Sequence, residues 1–222
     1  KIKRSTFIKQ VGYKKFRQMW DQPAQNFGQI VPVSHVSVKL EYLKPAKFLL
    51  DKVRAICGAP LSHYAATRNI RFEQNHRSAP ETGIVVGMPL TGFYFGKLAA
   101  KHLMMDIHVA GDFSQFDSTL NQKLNQLEAE LCKMGFVGHD QFDLICTIID
   151  LHTKQLDSMP LWTQSTGEVY EKPSGLTTGH GETTRKNSVA LQALYLTAWK
   201  DLTGLSAHEF KRYNVLSNFG DD

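Results

Sequence analysis

Leu120, Leu124, Leu127, Leu131 and Met134 recur at steps of four, three, four and three residues. That spacing places the five side chains on one stripe of an α-helix, the buried face of an amphipathic element. Just upstream, in DIHVAGDFSQFDSTL, Ile107 and Val109 alternate with their neighbours and lead to Asp112. This is the pattern of a buried strand that ends in a polar turn. Ser118 or Thr119 suits the helix cap and Gly135 the stop. A strand, a turn and a one-sided helix, in that order, require a sheet with helices packed against it.

The remaining segments extend that plan. Val31 to Leu43 reads as extended, and LSHYAATRNIRFEQNHR and FYFGKLAAKHLMM read as helices. A further helix covers roughly Gln141 to Leu156, and LWTQSTGEVYEKPSG reads as a hairpin turned at Gly167. ETTRKNSVALQALYLTAWKDLTG is helical with Val189, Ala193, Leu196 and Trp199 on its buried side, and FKRYNVLSNFGDD reads as a last strand entering a turn. The order predicts an α+β fold, with helices on one side of an antiparallel sheet.

Composition narrows the function classes. The chain is 42% hydrophobic and 21% charged, and no apolar run approaches the ~18–20 residues of a membrane span. The basic N-terminus lacks an apolar core, so it is not a secretory signal, and the absence of an initial Met suggests a piece of a longer protein. The net charge of +5 mildly favours a polyanionic partner. Residues 1–19 carry seven basic side chains and no acid, a pattern shared by nucleic-acid surfaces and solvated faces. Cys57, Cys132 and Cys146 lack C-x-x-C spacing, and no histidines stand at H-x-x-x-H, so zinc and a disulfide framework are not indicated.

Acidic residues gather at two predicted strand ends. Asp112 ends one strand, Asp117 follows five residues later, and Asp221 and Asp222 lie just past another strand. If the strands are neighbours, the carboxylates meet at one sheet edge. Clustered bare carboxylates repel, but they become favourable around hard divalent cations, which prefer oxygen ligands. Two such cations ~4 Å apart can clamp the attacking and leaving oxygens of a phosphoryl transfer.

The residues then point to a family. GDFSQFDSTL resembles motif A of viral RNA-dependent RNA polymerases, PSGLTTGHGETTRKNS resembles motif B, and FGDD resembles motif C, in that order. Upstream, KPAKFLLDKVRAICGAP resembles motif F, the basic finger strand over the incoming triphosphate. The resemblance covers residues ~40–222. It implies a right-hand palm plus part of the fingers, with residues 1–105 finger-like and 106–222 the palm core, and no thumb. It implies template-directed RNA synthesis from nucleoside triphosphates. The implied partners are RNA template and nascent RNA, with other viral replication or capsid proteins, in the host cytoplasm within a replication complex or virion core.

The same resemblance assigns roles. Asp112, Asp221 and Asp222 would bind two Mg²⁺ or Mn²⁺ ions. Asp117, directly or through Ser174 and Asn187, would hold a hydrogen-bond network ending at the ribose 2′-OH, and Gly175 would free the loop to shift. Lys44, Lys47, Lys52 and Arg54 would meet the triphosphate, with Arg54 best suited to a two-point phosphate contact. Asp117 is also a plausible cap for a helix starting at Ser118, and the motif F lysines a plausible guard on an edge strand.

Two departures stand out. The family's Asn nine residues after the motif B Ser is here Thr183, with Asn187 four further on. Either four residues are inserted, so that Thr183 and Asn187 keep their i,i+4 relation, or Thr183 replaces the Asn; the first is favoured. This longer motif B resembles the spinareovirus branch, while motif A resembles positive-strand polymerases equally well. The second departure is the end at Asp222, before any partner strand, general-acid lysine or thumb. The sequence therefore reads as a fragment cut inside the active-site hairpin, inactive by itself. A reverse transcriptase-like polymerase and a non-catalytic RNA-binding fragment are the alternatives. Asp117 and Phe219-Gly220 argue against the first, and metal dependence separates the second.

Overall fold

A computed structural model gives the fold. The structure describes residues 9, 12, 14, 33–38, 45, 55–76, 82–86, 88–89, 91–163, 165–172, 175–177, 179 and 181–220. Among these, the chain runs β1 (Ser34–Val38), β2 (Ala55–Gly58), α1 (Leu61–His76), α2 (Phe93–Leu103), α3 (Phe116–Thr119) and α4 (Gln122–Met134). It continues through α5 (Phe142–Ser158), β3 (Leu161–Thr163), β4 (Val169–Tyr170), α6 (Thr183–Thr203) and α7 (Ala207–Tyr213).

The four strands form one sheet in the order β2-β1-β3-β4. β1 pairs antiparallel with β2 and parallel with β3, and β3 pairs antiparallel with β4. The sheet is therefore mixed, not the antiparallel sheet predicted. The hairpin turns where predicted, with Gly167 at a φ of 73° that suits its lack of a Cβ.

α4 packs against α5 and α6, and α1 packs against α5. One apolar cluster joins Phe116 and Leu120 to Leu156, Met159, Leu176, Ala190 and Leu191. A second joins Ala129, Cys132 and Ile149.

The long helices fall where the periodicity places them, but α4 turns a different face inward. Asn125, Glu128, Ala129 and Cys132 are buried, whereas Leu127, Leu131 and Met134 are 41%, 48% and 69% exposed. Two forces set that rotation. Small Ala129 and Cys132 let α5 approach closely, and Glu128 is drawn inward by two buried cations. The cap is Asn121, whose side chain accepts from the Leu124 amide at 3.0 Å, rather than Ser118 or Thr119. Gly135 follows the last turn as predicted. On α6, Val189 is buried as predicted, but Ala193, Leu196 and Trp199 are only half-buried, with Ala190 and Leu191 forming the core contact instead.

Both strands expected to carry the acidic residues differ from prediction. Residues 107–113 form no strand, and Ile107 and Val109 are 82% and 89% exposed. FKRYN belongs mostly to α7, which Ser206 and Glu209 open with a capping box. Residues 214–217 are irregular. A strand has no internal hydrogen bonds and persists only beside a partner. Here the two segments face each other across a cleft of about 740 Å³, lined by Ile107, Val109, Tyr213, Val215 and Leu216 among others.

Candidate functional site

Asp117 is placed by its neighbour. Phe116 is buried in the core and anchors the single turn α3, which Gln115 enters in a left-handed conformation at φ 57°. Asp117 therefore lies inside the turn, half-buried, and does not cap a helix starting at Ser118. The loop before α6 sits on the backbone of this turn. The Leu176 amide donates to the Asp117 carbonyl at 2.7 Å, and the Gly175 amide donates to the Leu120 carbonyl at 2.7 Å. Gly175 has φ 89°, and a Cβ there would stand 2.8 Å from the Asp117 carbonyl oxygen and 2.9 Å from the Ser118 Cα. Only glycine fits so close an approach.

α6 completes the arrangement. Asn187 is 3% exposed, and its Nδ2 donates to Asp117 Oδ1 at 2.5 Å. The buried Oδ1 of Asn187 accepts no hydrogen bond among the described residues. One turn earlier, Thr183 Oγ1 donates to the Thr177 carbonyl at 2.8 Å and closes the intervening loop. That loop also meets β2, since the Gly179 amide donates to the Cys57 carbonyl at 2.8 Å.

Next on α6, Ser188 holds the turn that leads to the chain's last two residues. Its Oγ accepts from the Gly220 amide at 2.9 Å, and its carbonyl accepts from Asn218 Nδ2 at 2.7 Å. Asn218 is also fixed from the far side. Its amide donates to the Gly83 carbonyl at 2.8 Å, and its carbonyl accepts from the Val85 amide at 3.1 Å. Asp112, in contrast, is exposed in the irregular segment before α3. Asp221, Asp222, Ser174, Lys44, Lys47, Lys52 and Arg54 lie outside the described residues. Of the predicted site residues, the structure thus brings together Asp117, Gly175, Thr183 and Asn187.

Sequence reasoning missed the most buried charges. Arg71 of α1, Glu128 of α4, and Glu182 and Lys186 at the start of α6 form a closed ring, every member 1–2% exposed. Arg71 grips both Glu128 oxygens at 2.6 and 2.8 Å, and its Nε lies 2.9 Å from Glu182. Lys186 Nζ lies 3.0 Å from Glu128 and 3.6 Å from Glu182. Two cations meet two anions, so no charge is left uncompensated. Burial by itself opposes ionisation of Glu128, but Lys186 and Arg71 outweigh it and hold the carboxyl down at about 2. Burial likewise opposes the charge on Arg71, yet Glu182 and Glu128 raise its pKa above the ordinary arginine value. Beside the ring, His63 and His152 stack at 4.2 Å, and His152 Nε2 lies 2.5 Å from Thr67 Oγ1. Burial, followed by the nearby Lys186 charge, pushes His63 down to about 4. Only the Glu182–Lys186 spacing is visible as a one-turn pair in the sequence; Arg71 and Glu128 join through tertiary packing.

Lys172 was also missed. Its Nζ donates to the Gly175 carbonyl, and burial lowers its pKa despite the carboxylate of Asp157, the Cys57 thiol and the carboxylate of Asp117 acting the other way.

A family model of viral RNA-dependent RNA polymerase matches residues 3–222. The chain belongs to the viral RNA-dependent RNA polymerase family. Among curated relatives, it is 29% identical over 211 residues to genome polyprotein 1 of Barley mild mosaic virus (strain Na1). That alignment covers 90% of this chain and 9% of the polyprotein, so the chain spans under a tenth of that relative's length. The mixed α/β architecture is compatible with a polymerase palm. No helix among the described residues is long and apolar enough to cross a membrane. The described residues include no cluster of three metal-ligating side chains, and two of the three acids assigned to metal lie outside them.

Proposed function

We propose that this chain forms palm and finger parts of an enzyme that transfers nucleotides from nucleoside triphosphates to an RNA 3′ end on an RNA template, with pyrophosphate leaving, for viral genome replication and transcription. One observation carries the reading. The Asn187 amide is bonded to the Asp117 carboxylate, with the Gly175 loop seated on the same turn. This is a polar pair with acceptor capacity to spare, because Asn187 Oδ1 is buried with no donor among the described residues. A ribose 2′-OH would meet the pair at its half-buried member, Asp117. A site built to bond a hydroxyl rejects the sugar lacking it, since its own polar groups then go unpaired. Asn187 donates to Asp117 while Thr183 donates to the Thr177 carbonyl, which favours the four-residue insertion in motif B over replacement of the Asn by Thr183.

On this reading, Asp112, Asp221 and Asp222 hold two Mg²⁺ or Mn²⁺ ions. The residues suit the ions chemically, because Asp112 presents an exposed carboxylate and the other two offer only hard oxygen donors. Bound metal there would acidify the primer 3′-hydroxyl and neutralise phosphate charge. The chain's own task is positioning. Ser188 and Asn218 fix the turn at Gly220 to α6, the same helix that carries Asn187. Lys44, Lys47, Lys52 and Arg54 receive the triphosphate, and Ser174 joins the hydrogen-bond network to the ribose. The partners are RNA template, nascent RNA, nucleotides and other viral replication or capsid proteins, and the site of action is the host cytoplasm.

The test is single-nucleotide addition to an RNA primer–template by the polymerase that contains this chain. Addition should require Mg²⁺ or Mn²⁺ and fall on the order of 10³-fold or more in Asp112→Asn, the scale of losing a principal electrostatic stabiliser. Undiminished addition by Asp112→Asn contradicts the assignment.

A further inference from the structure

Three consecutive side chains leave α6 in three directions, and each makes a defined bond. Lys186 enters the buried ion ring, Asn187 reaches Asp117, and Ser188 accepts the Gly220 amide. The middle contact is the most exacting. Helix side chains reach a radius of ~5–6 Å, so a rotation of about 20° around the axis moves the Asn187 amide by about 2 Å. That displacement ends a hydrogen bond. An apolar seam specifies that rotation less sharply than bonded charges do, because its contacts are non-directional. The apolar residues following Asn187, namely Val189, Ala190 and Leu191, therefore do not fix the rotation by themselves.

The ring does. It ties α6 at two points, Glu182 and Lys186, to two other helices through Arg71 of α1 and Glu128 of α4. Turning α6 either way draws Lys186 from Glu128 or Glu182 from Arg71 and exposes a buried charge to a low-dielectric surrounding. Arg185 adds a tether on the same turn, its Nη1 donating to the Gln74 carbonyl at 3.0 Å and its Nε lying 3.7 Å from Glu128. Buried ion pairs seldom stabilise a fold better than apolar residues of the same size, and their best-attested use is to fix register.

We propose that the closed ring of Arg71, Glu128, Lys186 and Glu182 is a positioning device for sugar selection, holding α6 at the rotation that places the Asn187 amide on Asp117. The proposal rests on the reading of Asp117 and Asn187 as the ribose-sensing pair. None of the four ring residues touches the nucleotide; they act through Asn187.

The experiment compares kcat/KM for a nucleoside triphosphate and its 2′-deoxy counterpart in the polymerase that contains this chain. The variants are Asp117→Ala, Lys186→Met, Lys186→Arg and the charge-balanced double Glu128→Gln/Lys186→Met. The double leaves Arg71 and Glu182 as a neutral pair, which keeps a folded protein in hand if Lys186→Met alone unfolds. Lys186→Met and the double should each lose about tenfold or more of the ribose preference, a part of the ~10⁴ such a site can hold. Turnover of the ribonucleotide should fall less, and Lys186→Arg should retain the preference. Full preference in the double, with the preference lost in Asp117→Ala, overturns the ring's role and leaves the sugar reading standing. Full preference in Asp117→Ala overturns the sugar reading, and the ring's role falls with it.

Discussion

Asp117 and Asp112 stand five residues apart, yet the chain supports them in different ways. Asp117 sits in a turn anchored by buried Phe116, bonded by Asn187 and covered by the Gly175 loop. Asp112 follows a segment whose apolar residues, Ile107 and Val109, face solvent and whose backbone joins no sheet. The difference lies in which partner each needs. A helix satisfies its own backbone and asks of its neighbours only a matching face, so helix-borne contacts assemble among α1, α3, α4 and α6. A strand end is defined only when another strand lies beside it. The sugar-reading half of the proposed site is thus built on helices, and the metal-holding half depends on strand pairing that residues 107–113 do not make.

That contrast can be broken at graded scale. The largest effect on the helical side should come from Arg71→Met, which leaves two buried anions, Glu128 and Glu182, against the single cation Lys186. Breaking a buried pair by removing one partner costs about 3–5 kcal/mol, to be read from urea unfolding of this chain. A loss below about 1 kcal/mol would mean that the ring is not part of the folded core.

Acid comes next. His63 sits at about 4 in the folded protein against an ordinary 6.5, so the unfolded chain binds the extra proton between those values. Stability is therefore full above pH 6.5 and declines as pH falls toward 4, by about 3 kcal/mol at most. Glu128, held at about 2 against 4.5, adds a second decline from pH 4.5 downward. Unfolding measured across pH 7 to 4 should show the first slope, and His63→Phe should flatten it. An unchanged slope in that variant would place the proton uptake elsewhere.

The smallest effect belongs to the other region. Val109→Ala should change stability by less than about 0.5 kcal/mol, because the side chain is 89% exposed. A cost of 1 kcal/mol or more in the same urea series would show that residues 107–111 are paired in solution and would erase the contrast.

The same physics explains what could be read from the sequence. α1, α4, α5 and α6 were legible because each carries its own periodicity and end signals, such as Gly135 after α4. The hairpin was legible from Gly167. The buried face of α4 was not, because leucine spacing records hydrophobicity while Arg71 and Lys186, distant in sequence, draw Glu128 inward. α7 was misread as a strand although Ser206 and Glu209 spell a capping box, a local signal that the aromatic and β-branched residues around Tyr213 obscured. Of the proposed site, the motifs marked Asp117 and Asn187 individually. Their direct bond depends on packing, as does the ring beside it.

The most direct test of the sugar-reading pair is a double-mutant cycle on Asp117 and Asn187, read as the ribose over deoxyribose preference in single-nucleotide addition by the polymerase that contains this chain. Residues that act as one hydrogen-bonded unit are non-additive. Asp117→Ala and Asn187→Ala should each remove most of a preference of up to ~10⁴, and the double variant should be no worse than either alone. Losses that multiply, or a preference left intact by both single changes, would contradict the assignment of the pair.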